Sequence, residues 1–244
     1  MKLSKLLYEC AKAATNYGDQ SFTYLSLMTG EALNDENYAN AVPTALTNIN
    51  GFLQRLSQLR KLPAKIEAFD VSDDDASIPY ERFSEKPRSI VAIFQRFGKS
   101  YRNLEWRKSN HDVRILEAFD RSKKVYVQYR PEVPYFTMSD IPSCEAVYDE
   151  AGDFKAYSFK GAEYANEDGL LEAMGECDFD LEKRLGVPNE AYPLCIEWCK
   201  AKMNDLDAGA SQALEVKTES RILDIENDEN LFLQTEIEAC GVLR

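Results

Sequence analysis

At 244 residues the chain is long enough for one large domain or two small ones, and either buries enough apolar surface to stand without disulfide or metal staples. A composition of 44% hydrophobic and 29% charged residues excludes wholesale disorder. The 42 acidic side chains outnumber the 29 basic ones, and the net charge of -13 excludes a broad phosphate-tracking surface of the kind that grips nucleic acid regardless of sequence.

The first segment, MKLSKLLYECAKAATNYG, spaces Leu6, Leu7, Cys10, Ala11 and Ala14 as a short amphipathic helix, with Gly18 as its stop. Tyr8, Glu9, Cys10 and Lys12 interrupt any apolar core of a signal peptide, and no run approaches the ~20 apolar residues of a membrane span. The expectation is a soluble protein, intracellular at synthesis. In NYANAVPTALTNINGFLQRLSQLRKL, apolar residues from Tyr38 to Leu59 recur every three to four positions, which predicts a long amphipathic helix with Pro43 in its first turn or at a kink.

From Lys65 the period shortens. IVAIFQRF (90–97), YRNLEWR (101–107), VRILEAF (113–119) and KVYVQYR (124–130) read as strands of a small antiparallel sheet or sandwich. In the last of them Val125, Val127 and Tyr129 share one face, Tyr126 and Gln128 the other, and Pro131 and Pro134 end the ladder. Residues 144–186 are acidic and irregular, with a β-hairpin expected around FKAYSF and a short helix at GLLEAM. The helical period returns at YPLCIEWCKAKMNDLD and continues in DAGASQALEVKTESRILDI, a helix pair joined near Asp205 to Ala208. The chain ends in a polar hinge and an apolar-tipped tail.

The fold class read from these elements is α+β, a helical bundle with a small antiparallel β-sheet or sandwich inserted into it. Its divisions are N-terminal bundle helices (1–64), a β domain (65–143), an acidic excursion (144–186), a C-terminal helix pair of the bundle (187–226) and a tail (227–244).

Motifs that would carry chemistry are sparse. The six cysteines, Cys10, Cys144, Cys177, Cys195, Cys199 and Cys240, include no CxxC pair and suit free thiols in a reducing compartment. Cys195 and Cys199 lie one helical turn apart beside Trp198, without a histidine and without the four ligands of a zinc site, so they read as core. His111, the one histidine, sits in the turn-like KSNHDV and reads as solvated. In DVSDDDAS the calcium-loop glycine is missing, and a solvated loop is expected. Glycine-rich phosphate loops, GxSxG and HExxH are absent. Arg55, Arg60, Lys61, Arg121, Lys123 and Lys124 form modest basic clusters that read chiefly as solubilising. No catalytic residue, cofactor or metal is expected.

The order of elements carries more information than any motif. A strand ending in a Tyr-x-Pro-like turn (Tyr129, Pro131, Pro134) leads through Asp140 to a helix with Trp198, then an Asp-rich break (Asp205, Asp207), then a helix with spaced alanines (Ala208, Ala210). This order resembles the head-to-tail connector, or neck adaptor, proteins of tailed bacteriophages, including the tail-tubular A type of short-tailed phages, over about two thirds of the chain in outline. The acidic excursion at 144–186 departs from it, being longer than such connectors need.

The resemblance implies a non-enzymatic virion protein, made in the bacterial cytoplasm and assembled as a ring, commonly of twelve copies, beneath the portal. Its partners would be other copies of itself, the portal protein and a tail or tail-completion protein. DNA would pass through without specific binding, past an acidic lumen that repels it. The tail residues Leu231, Phe232, Ile237 and Val242 are the candidate portal contact. The alternatives are another tail or baseplate subunit, a carboxylate-dependent hydrolase with two buried acids in a cleft, and a monomeric ligand-binding protein with an apolar pocket.

Overall fold

The computed structural model describes residues 1–14, 22–34, 38–71, 76–98, 100–203 and 208–225. The chain forms two units, the first from Met1–Leu59 together with Pro134–Ile225, the second from the intervening Arg60–Val133. The class is α+β. Helix α1 (Leu3–Ala14) opens the first unit, followed by the short α2 (Tyr24–Met28) and α3 (Glu31–Asn34) and the long α4 (Ala41–Gln58). On α1 the buried side chains Leu3, Leu6, Leu7, Cys10, Ala11 and Ala14 make one continuous stripe. On α4 Val42, Ala45, Leu46, Ile49, Phe52, Leu53 and Leu56 do the same, and Pro43 stands in the first turn, where its missing N–H costs nothing.

Among the described residues the second unit holds seven strands: β1 (Lys65–Phe69), β2 (Ser77–Pro79), β3 (Pro87–Phe97), β4 (Ser100–Asn103), β5 (Trp106–Lys108), β6 (Asp112–Ile115) and β7 (Val125–Pro131). They make a four-stranded antiparallel sheet in the order β1-β7-β3-β4 and a three-stranded one in the order β2-β6-β5. A shared core joins the two sheets, with Ile78, Val113 and Ile115 from the smaller and Phe69, Ile90, Ile93, Val125, Val127 and Tyr129 from the larger. Each such side chain contributes about 1.5–3 kcal/mol by leaving water.

Two departures from simple alternation shape this unit. Ile90 and Ile93 are three apart yet both face the core, because the register slips by one residue between Ile90 and Ala92 and turns Val91 outward. The segment YRNLEWR is not one strand. Its first half is β4 in the larger sheet and its second half supplies β5 in the smaller, and the chain crosses between them at Leu104, which is buried and donates its N–H to Ile93 O at 2.7 Å. The expected strand at 113–119 likewise stops at Ile115, since Leu116 turns out to solvent.

The first unit resumes with β8 (Glu145–Tyr148), β9 (Phe154–Phe159) and β10 (Ala162–Tyr164), an antiparallel sheet in the order β10-β9-β8. The FKAYSF segment is β9 itself, and the GLLEAM helix is part of α5 (Glu167–Cys177), capped by the Asn166 side chain accepting from Gly169 N–H at 2.9 Å. Helix α6 (Leu181–Leu185) ends on Gly186, whose φ of 67° is the left-handed cap that glycine adopts without strain. Last come α7 (Ala191–Met203) and α8 (Ala208–Asp224). Helix α7 packs against α1, α4 and α8, which is why its buried residues Tyr192, Leu194, Cys195, Cys199 and Ala201 spread beyond one stripe.

Candidate functional site

Three groups of side chains in the first unit merit a chemical reading. The first is the outer surface of α8. Thr218 and Ile222 are buried, and ion pairs hold the helix in place: Glu219 with Arg55 of α4, Arg221 with Glu197 at 2.5 Å, and Glu215 with Lys202 at 2.8 Å. Val216 and Leu223, however, are 64% and 53% exposed. A shallow groove around Val216 is lined by Gln212, Ala213, Lys217, Ser220 and Arg221. A second apolar surface lies on the β8–β9 hairpin, where Tyr148 is 57% and Phe154 47% exposed and the Phe154 ring meets those of Tyr148 and Tyr157 at 6.3 and 4.7 Å. Exposed aromatics and aliphatics gathered in this way are the usual mark of a surface that meets another macromolecule.

The second group is a set of thiols. Helix α7 presents Cys195 and Cys199 one turn apart, and α1 brings Cys10 to them, so that the three sulfur atoms lie within 4.8 Å of one another with every side chain at 1% exposure or less. Cys199 Sγ also stands 3.9 Å from the Ala45 carbonyl oxygen of α4. Its sulfur accepts from both other thiols, which holds its pKa down to about 5. Burial, reinforced by the hydrogen bonds that Cys195 donates to both neighbouring thiols, pushes Cys195 well up. On Cys10 the Cys195 hydrogen bond works downward and is outweighed by the Cys199 hydrogen bond and burial, leaving it high as well. The burial of Cys195 and Cys199 fits a core face; the convergence of Cys10, some 185 positions away by number, has no counterpart in their spacing.

The third group surrounds Asp178. Its carboxylate accepts from Ser4 N–H at 3.3 Å and from Ser4 Oγ at 2.5 Å, and Ser4 Oγ also meets Tyr24 OH at 2.5 Å. Burial pushes the Asp178 carboxyl up, and the Ser4 hydroxyl and N–H act against it. This resembles a serine paired with an acid, yet Ser4 is the second residue of α1, and the carboxylate satisfies one of the N–H groups that a helix start leaves unpaired. Asp178 is an N-terminal cap supplied from a distant part of the chain.

His111 stands exposed in the turn between β5 and β6, its N–H bonded to Ser109 Oγ at 3.2 Å and its carbonyl accepting from Tyr80 N–H at 2.9 Å. Of the basic residues, Arg55 pairs with Glu219 and Lys123 with Asp120. Trp198 is half-buried against Phe52, ring centroids 6.1 Å apart. Most of the acidic loop after Asp70, at 72–75, lies outside the described residues, as do the tail residues Leu231, Phe232, Ile237 and Val242.

Comparison with family models, with curated proteins and with solved structures finds no match for this chain. Among the described residues, no helix is long and apolar enough to cross a membrane.

Proposed function

We propose that this chain is a structural subunit of a tailed-phage neck, a head-to-tail connector that closes into a ring with copies of itself below the portal and joins capsid to tail. The observation that carries the reading is the pair of exposed apolar surfaces on the first unit, Val216 with Leu223 on α8 and Tyr148 with Phe154 on β8–β9. A ring needs two different contact surfaces on each subunit, because its interfaces run head to tail. The element order, bundle helices on either side of an inserted β unit, is the order on which the resemblance to connectors rests.

In this reading α8 and the β8–β9 hairpin meet neighbouring subunits, and the tail carrying Leu231, Phe232, Ile237 and Val242 seats in a groove of the portal. The net charge of -13 keeps the channel from holding the genome by adhesion as it passes. In this reading the protein performs no catalysis, and Asp178, a carboxyl raised by burial, serves to cap α1.

The experiment is assembly with the portal of the same virion, read by negative-stain imaging and by mass in solution. Wild type forms rings; the double variant Val216→Asp/Leu223→Asp keeps its helical circular dichroism and forms none. Removing residues 227–244 abolishes docking on the portal with the fold intact. Docking that survives this truncation removes the tail from the account.

A further inference from the structure

We propose that Cys10, Cys195 and Cys199 form a binding site for one soft, thiophilic cation held by three thiolates, with Cu(I) as the biological ion that the site fits. The inference is independent of the ring reading.

The geometry comes first. Three sulfurs that lie within 4.8 Å of one another always leave a point no more than about 2.8 Å from each, at most about half an ångström beyond a metal–thiolate bond of ~2.3 Å. Small rotations of the three side chains close that gap without moving a helix. Cys195 and Cys199 are fixed one turn apart on α7, and Cys10 faces them from α1, so the donors are set on two rigid elements already packed together.

The donor set then selects the ion. Among the described residues no histidine, aspartate or glutamate joins the cluster, and the Ala45 carbonyl oxygen stands 3.9 Å from Cys199 Sγ, beyond bonding distance of an ion held by the sulfurs. Hard cations require several oxygens. Zinc in a structural site takes four ligands, and this cluster offers three. Soft sulfur donors select Cu(I), which accepts trigonal coordination. Packing alone explains why each thiol is buried, since free cysteine is a small hydrophobe. It does not explain why three polarisable donors converge on one point. On loading, each sulfur binds as its thiolate and any proton it still carries leaves to solvent; no electron is transferred. The bound ion would tie α1 to α7, two segments far apart in the chain, and stabilise the first unit as a cross-link.

The test uses the whole chain carrying Cys177→Ser and Cys240→Ser, because Cys177 is exposed and Cys240 lies outside the described residues. The reduced protein is titrated anaerobically with Cu(I) against a competing chelator, and in parallel with Zn(II). The expected result is one copper retained per chain, a copper-edge X-ray absorption spectrum with three sulfur neighbours, and a raised Tm. Cys10→Ser and Cys195→Ser each lower copper affinity by more than the about tenfold loss typical of an outer-shell partner. Cys144→Ser, whose sulfur lies 3.7 Å from Met28 O, leaves the affinity unchanged. If a ligand variant fails to fold, the sulfur count in the parent protein decides. Copper lost to the competitor, a shell with two sulfurs or with oxygen and nitrogen, Zn(II) held in preference to Cu(I), or an unaltered affinity in Cys10→Ser overturns the proposal.

Discussion

Asn50 and Phe136 exchange two hydrogen bonds: Asn50 Nδ2 donates to Phe136 O at 2.8 Å, and Phe136 N–H donates to Asn50 Oδ1 at 2.9 Å. The amide is buried in the middle of α4 and gives the main chain at Phe136 the donor and acceptor that a neighbouring strand would give it. Phe136 thereby enters the core against Phe179, ring centroids 4.8 Å apart, at the point where the chain rejoins the first unit. Asn50→Ala leaves two main-chain groups without partners and costs about 2–4 kcal/mol. Urea unfolding measures it, and a loss near zero would mean that water replaces the amide.

A buried amide does the same work in the second unit. Gln95, fully buried on β3, donates to Asp120 O at 2.8 Å and Lys123 O at 3.1 Å and accepts from Asp120 N–H at 2.9 Å. Gln95→Ala is expected to release the 116–124 loop: amide hydrogen exchange accelerates there first, and stability falls by about 2 kcal/mol or more. Equal acceleration throughout the unit would contradict a local role.

Acid sensitivity follows from Asp120. Lys123 first, then the Ser122 hydroxyl and N–H, hold its carboxyl down from 3.8 to about 2. A carboxyl depressed on folding contributes stability that is fully present above its unfolded value and is lost as pH falls through its folded one. Wild type and Asp120→Asn therefore differ at neutral pH, and the difference shrinks from pH 3.8 towards about 2. Denaturant midpoints for the two proteins at a series of pH values check this, and a gap that widens in acid has the wrong sign.

Thiol labelling separates the cysteines by burial. Cys177 is exposed at the end of α5, whereas Cys10, Cys144, Cys195 and Cys199 are buried. Among these five, a maleimide modifies Cys177 in the native state, and the others react only as the chain opens. Rapid native modification of Cys195 would place it outside the core.

How far the sequence could be read depended on the range over which each signal acts. Helix α4 was legible because nine buried positions repeat along 18 residues, and β7 because Val125, Val127 and Tyr129 take every second position on the core face, although Tyr126 is buried as well, in a cluster with Ile66. The passage of YRNLEWR from one sheet to the other was not, since Leu104 looks like any strand residue until its partner Ile93 is known. The inward pairing of Ile90 with Ile93 depends on a bulge that no local residue announces. At the candidate sites the limit is distance along the chain. Cys195 and Cys199 could be paired by their helical spacing, but Cys10 joins them only through the packing of α1 on α7, and Asp178 reaches Ser4 where the start of the chain pairs with 178–181, Phe179 O accepting the Leu3 N–H at 2.9 Å and Met1 O the Leu181 N–H at 3.0 Å.

Closure into a ring is read by negative-stain imaging with light scattering of the concentrated protein mixed with its portal, beside the Val216→Asp/Leu223→Asp variant. Closed rings on the portal are expected for wild type, and isolated, folded subunits for the variant. A wild-type chain that stays monomeric with portal present, or a variant that assembles as wild type does, would contradict it.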